Sequence, residues 1–226
     1  MSGAGCLTRH SNDEILSNLK EYRIAGNEFD PFDTRFFDLP ATFATSFRRP
    51  LDRALSQFRF ECIEDRMCVI KNVTQWSDKR VTGLGNVHTW TFCREGVRNV
   101  SIGTSQKDAM KISELIGKAM DVIAKFNLII VMEWLAYAPK HVEDALGFHN
   151  TEALTKRVRP HINQAKREDG QEKNSLGAAG IAKASWTPEE YLPKELHVRM
   201  SHNLALDEVL TDAARRMFLE RIICDV

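Results

Sequence analysis

The residues best suited to chemistry lie together at Arg48-Arg49-Pro50-Leu51-Asp52-Arg53-Ala54-Leu55-Ser56, within the segment from Phe43 to Glu61. Ahead of them Phe43-Ala44-Thr45-Ser46-Phe47 suits a short β-strand, and Pro50 suits the first position of a helix reaching about Glu61. Strand, turn and helix then set cations and a hydroxyl where an anion binds. The exposed amides and positive dipole end of the helix, the planar guanidinium of Arg48 and the Ser56 hydroxyl can together hold a phosphate. Arg53 and Ser56 share one helix face by their spacing. A plainer reading of the same residues stands beside this one: Arg49 and Arg53 solvated, and Ser56 a helix-surface hydroxyl.

The elements around this segment alternate between helix and strand. Asn12 to Arg23 carries Ile15, Leu16 and Leu19 on one helical face, with Asp13 and Glu14 in the first turn where the dipole favours them. From Asn27 to Pro40, Phe29, Phe32, Phe36 and Phe37 fall among aspartates and prolines, which predicts an irregular loop whose rings enter the core. Met67-Cys68-Val69-Ile70 and Val87-His88-Thr89-Trp90-Thr91-Phe92 fit strands, and Gly83 and Gly85 mark a turn. Ser105 to Phe126 reads as a helix with Ser105 and Asp108 as a capping box and Ile112, Leu115, Ile116, Ala119 and Ile123 as its apolar stripe. Leu128-Ile129-Ile130-Val131-Met132 is a continuous apolar run suited to a strand buried on both faces. Pro139 to Leu146 reads as a helix closed by Gly147. The basic and polar stretch from His149 to Pro188 reads as a mobile loop. A last helix, Leu206 to Ile222, presents Leu206, Val209, Leu210, Ala213 and Met217 and should dock on the sheet. The expected architecture is a single α/β domain over residues 1–226, a parallel sheet flanked by helices.

Arg-x-Pro-x-x-Arg-x-x-Ser after a short apolar strand resembles the 3′-phosphate-binding element of the carbohydrate sulfotransferases, especially the branch with uronosyl and galactose sulfotransferases. Two further stretches follow in the same order. Ile130-Val131-Met132-Glu133-Trp134-Leu135 with Ala145-Leu146-Gly147-Phe148 is similar to the family's strand, acidic residue and amphipathic helix. Asn203-x-x-Leu206-Asp207-x-x-Leu210, running into Ala213-Ala214-Arg215-Arg216-Met217-Phe218, resembles its closing helix. The resemblance implies a P-loop-like sheet and transfer of a sulfuryl group from 3′-phosphoadenosine 5′-phosphosulfate to a carbohydrate or other hydroxyl acceptor, without a metal. It assigns Arg48 and Ser56 to the 3′-phosphate. The basic run Lys156-Arg157-Val158-Arg159-Pro160-His161-Ile162-Asn163 falls where the family has a loop closing over nucleotide and acceptor, which makes Arg159, His161 and Asn163 candidates for nucleotide contact. A solvated basic loop is the alternative for that run. The family also has, upstream, a strand and a Lys-, Gly-, Ser- and Thr-rich loop that cradles the 5′-phosphosulfate. Residues 1–42 contain no such pattern, so the expected fold is incomplete at the amino terminus and the chain either lacks part of the donor site or is a non-catalytic nucleotide- or glycan-binding relative. Val100-Ser101-Ile102-Gly103-Thr104-Ser105-Gln106-Lys107 is a weak substitute, since Ser105 and Asp108 already explain it as a cap.

Lys plus Arg and Asp plus Glu both total 31, so the whole-molecule charge gives no reason to expect nucleic-acid or membrane-surface attraction. Any anion site is local. No run of about 18 apolar residues is present, and the first residues lack the apolar centre of a signal peptide. Location in the Golgi lumen or membrane is therefore an expectation of the resemblance alone. The five cysteines, Cys6, Cys62, Cys68, Cys93 and Cys224, make no metal-type pairs and read as reduced core thiols. Asn72-Val73-Thr74 and Asn99-Val100-Ser101 match the N-glycosylation sequon. The seven histidines, His10, His88, His141, His149, His161, His197 and His202, are not ranked by position as a general base.

Overall fold

The polar turn at Arg48 is carried by one of two short strands that pair in parallel. The computed structural model describes residues 10–19, 26, 30–59, 61–62, 70, 72–94, 106–151, 154 and 187–224. Within them β1 (Ala44–Phe47) lies beside β2 (Leu128–Val131), with Ala44 opposite Leu128 and Phe47 opposite Val131. The register is set at the amino ends, where the Phe43 amide donates to Asn127 Oδ1 at 2.8 Å and the Leu128 amide donates to the Phe43 carbonyl at 3.0 Å. The run Leu-Ile-Ile-Val suits a strand that is nearly enclosed, and Leu128, Ile129 and Val131 are buried. β1 is open on the side of Ala44 and Ser46 and buried at Phe47.

Helices surround this pair: α1 (Asn12–Leu19), α2 (Pro50–Arg59), α3 (Val73–Leu84), α4 (Val87–Cys93), α5 (Gln106–Ile123), α6 (Pro139–Leu146), α7 (Pro188–Tyr191), α8 (Lys194–Asn203) and α9 (Ala205–Cys224). Two 3-10 turns, Thr34–Asp38 and Met132–Tyr137, join them. The described residues thus form a mixed α/β arrangement, mostly helical, with a small two-stranded parallel sheet. α1 opens on a capping box, Ser11 and Glu14 exchanging bonds of 2.7 and 3.3 Å, with the serine amide and hydroxyl holding the glutamate below its ordinary range. α6 closes on Gly147 at φ 68, in the left-handed region open to glycine. Arg221 of α9 donates to the carbonyls of Asn127 and Ala124, covering the carbonyls exposed where α5 ends.

The aromatic loop packs as its composition predicts. Phe32 and Phe36 are buried, Phe37 and Phe43 pack against them, and Phe32 meets Phe126 at 4.9 Å. Phe29 lies outside the described residues. The stripe on α5 falls on Leu115, Ile116, Ala119 and Ile123 as expected, with Val122 joining it and Ile112 only half-buried. On α9 the core line is Leu206, Leu210, Ala214 and Phe218, while Val209 is 53% exposed. The buried line therefore follows steps of four from Leu206, and the expected inward place of Val209 is corrected. Leu210 joins Ile129 and Phe218 joins Leu128 and Val131, so α9 does dock on the sheet.

The expected strand from Val87 to Phe92 is a helix. Its β-branched and aromatic alternation is overridden by end-capping from a distant element. Asn86, at φ 46, accepts from the amides of Leu206 and Asp207 at 3.1 and 3.2 Å. Asp207 in turn accepts from the amides of His88 and Thr89 at 3.0 and 2.8 Å and from the Thr89 hydroxyl at 2.9 Å. Each helix start is capped by a side chain at the start of the other. The strand expected at Met67-Cys68-Val69-Ile70, and the Ser105 cap, lie on or run into residues outside those described. Cys93 is a buried thiol outside any disulfide, Cys224 is an exposed one, and Cys62 is disulfide-bonded, which corrects the expectation of reduced thiols for that residue.

Asp207 is fully buried, so Asp207→Ala strands two amides and a hydroxyl and should cost about 3 kcal/mol of unfolding free energy in urea. Asp212→Ala on the exposed side of the same helix should cost about 0.5 kcal/mol. Equal losses in the two variants would refute the paired-cap account.

Candidate functional site

The carboxyl ends of parallel strands are where α/β sheets hold ligands, because the following turns and helix starts open there. Here β1 ends in the Arg48-Arg49 turn and α2 begins at Pro50, while β2 leads into Met132 and Glu133. Register brings the two turns side by side. The Arg49 amide donates to Glu133 Oε1 at 2.8 Å, which ties the turn after β1 to the turn after β2. The Arg49 guanidinium ion-pairs with Glu189 of α7 and lies 3.8 Å from Asp52 on α2. His197 of α8 approaches the same glutamate at 4.0 Å.

Arg48 and Ser56, the expected phosphate ligands, fall on this one unit and are both half-buried. Arg48 sits at the end of β1, and Ser56 is seven residues into α2. At 1.5 Å per residue that is about 9 Å along the axis from Pro50. A phosphate touched by both side chains would therefore lie against the flank of α2 rather than on its axis, where the dipole acts less. Arg159, His161 and Asn163 lie outside the described residues, as does most of the loop read between His149 and Pro188.

The electrostatics are mixed in sign. Burial raises Asp52 above the ordinary aspartate value of 3.8, Glu133 and Glu189 reinforce that, and Arg49 and Arg48 oppose it. Burial likewise raises Glu208 on α9, against the pull of Arg49 and Arg215. Glu189 is lowered by its bond from Arg49, whose own affinity for its proton is raised by that bond. Arg53 does not behave as a solvated helix-surface cation. Burial lowers its guanidinium, with Asp207 pulling the other way.

The histidines separate once packed. His88 lies 4.9 Å from the Phe47 ring at the end of β1, and burial lowers its imidazole while Asp207 opposes that shift. Its Nε2 is shielded from solvent and has no hydrogen-bond partner among the described residues. His141 is buried against Phe218, and His149 is exposed beside Glu143 at 3.0 Å. Glu133, Glu189, Asp207 and His88 were given no role by the sequence. Glu133 and Asp207 do stand inside the two stretches that resemble the sulfotransferases, whereas nothing local marks Glu189 or His88.

Among the described residues no group of three or more His, Cys, Asp or Glu side chains could hold a metal ion, and no helix is long and apolar enough to cross a membrane. A groove of about 500 Å³ runs between α5 and α9, lined by Ile112, Ile116, Met120 and Val209 among others, and none of the strand-end residues lines it. No family model matches the chain, and neither a curated protein nor a solved structure does.

The raised Asp52 gives a pH signature. The folded chain holds this proton more tightly than the unfolded one, so the group's contribution to stability falls as pH rises from 3.8 through the raised folded-state value. Asp52→Asn lacks that loss. Its melting temperature relative to the parent should climb across the window and level off above it; an offset independent of pH would disprove the shift.

Proposed function

We propose that the chain is a sulfotransferase-like protein in which the β1–α2 unit grips the 3′-phosphate of 3′-phosphoadenosine 5′-phosphosulfate, for transfer of sulfate to a carbohydrate hydroxyl where the donor site is complete. The observation that carries this reading is the strand–turn–helix itself: Arg48 directly follows a parallel strand, Pro50 opens the helix, and Ser56 follows on that helix. A guanidinium and a hydroxyl on one rigid unit offer charge-assisted bonds to phosphate oxygens. The neighbouring strand and Glu133 hold the turn, so Arg48 starts from a fixed backbone. The P-loop-like sheet belongs to the same proposal, with β1 and β2 as two of its strands. So does an expected location in the Golgi lumen or membrane.

A second reading, a relative that binds nucleotide or an acidic glycan without turnover, is favoured by one observation. Asp52, Glu133 and Glu189 surround the two arginines, and Arg49 is already paired with Glu189. Such a ring leaves less positive potential for a transferring sulfuryl group, whose leaving phosphate oxygen needs preorganised donors.

Adenosine 3′,5′-bisphosphate should raise the melting temperature of the full chain, and Arg48→Ala with Ser56→Ala should abolish the rise. An unchanged melting temperature in the parent chain counts against both readings. Transfer of labelled sulfate from the donor to a panel of glycans separates them: turnover favours the enzyme, and binding without turnover favours the non-catalytic relative.

A further inference from the structure

The sequon at Asn72-Val73-Thr74 lies at the start of α3, outside the strand-end site. Asn72 is exposed and is the cap residue of that helix, with its backbone at φ −114, ψ 125. The side chain splits its work between its two polar atoms. Oδ1 accepts from the Thr74 amide at 2.8 Å, satisfying one of the helix's first amides. Nδ2, the atom that bonds to an N-linked sugar, has no hydrogen bond among the described residues. An amide substituted on nitrogen keeps its carbonyl oxygen as an acceptor, so a sugar on Nδ2 leaves the cap in place.

The neighbouring residues fix where that sugar would point. Val73 is buried, 6% exposed, in a cluster with Leu55, Phe58 and Trp76. The middle residue of the sequon thus anchors the helix start, while the asparagine before it stays at the surface. Cys62 belongs to the same cluster and is disulfide-bonded. Disulfides persist in oxidising compartments, and those compartments are where N-glycans are added. Sequon and disulfide therefore point to one environment from one packed unit, by different chemistries.

We propose that Asn72 is an N-glycan acceptor, modified in an oxidising secretory lumen. The donor is an oligosaccharide joined through a pyrophosphate to a lipid. Nδ2 bonds to the anomeric carbon, the bond from that carbon to the pyrophosphate oxygen breaks with its electron pair, and one Nδ2 proton is released to base. No oxidant or reductant takes part. The inference does not rest on nucleotide binding, and either one can fail alone.

The test uses the full chain recovered from the cells that make it, treated with peptide N-glycosidase in heavy-oxygen water. Heavy oxygen should appear at residue 72 as labelled aspartate, and electrophoretic mobility should increase by one glycan's step. Asn72→Asp keeps a cap acceptor and Thr74→Ala keeps the capped amide, so both should fold and both should lack the step. An unlabelled Asn72, or label confined to Asn99, overturns the proposal. The melting response to adenosine 3′,5′-bisphosphate, read on the same preparations, reports on the nucleotide site separately.

Discussion

Asn86 and Asp207 hold two helix starts against one another, and the position of the strand-end residues follows from that contact. A helix as short as α4, about two turns long, has too few internal bonds to offset its nucleation cost and persist alone. Asp207 supplies acceptors for its first amides, and Asn86 does the same for α9. With both ends fixed, Phe92 and Cys93 enter the same core as Phe47 and Leu210. His88 is brought to the Phe47 ring, and Asp207 stands within electrostatic reach of Arg53. The caps thus act on the inner side of α2, the helix that carries Ser56.

Charge around the Arg48 turn is balanced rather than concentrated. Arg49 is committed to holding α7 through Glu189 and the turn through its amide, while the proposed function gives the ligand to Arg48. The chain as a whole is likewise balanced, with formal net charge +0, so an anion site of the kind proposed is a local one. The division between Arg49 and Arg48 gives each arginine of the turn a different kind of work, structural for one and recognition for the other under the proposed function.

Much of this arrangement was legible in local pattern. Pro50 at a helix start, the apolar run Leu128 to Val131, Gly147 as a terminator and the stripe on α5 all depend on chemistry within a few residues, and each falls where that chemistry puts it. What was not legible depends on partners far along the chain. Val87 to Phe92 has the alternation of a strand, and only a carboxylate more than a hundred positions away turns it into a helix. Val209 lies within the apolar pattern of α9, yet the helix turns Phe218 inward and leaves Val209 outside. Of the candidate site, the strand, turn and helix that carry Arg48 and Ser56 were readable because they form one local unit. Glu133 and Glu189 converge on Arg49 only after the chain has folded back twice.

The tie between the Arg49 amide and Glu133 spans 84 positions, as does the bond from Phe43 to Asn127. Contacts of such separation form only after the intervening chain has given up its freedom. During synthesis the Arg48 turn leaves the ribosome long before its neighbouring strand exists. The turn therefore stands without its neighbouring strand while those 84 positions are made, and its tie to Glu133 forms only afterwards. Under the proposed function, the shape that holds the phosphate is complete only once the crossover from β1 to β2 has closed.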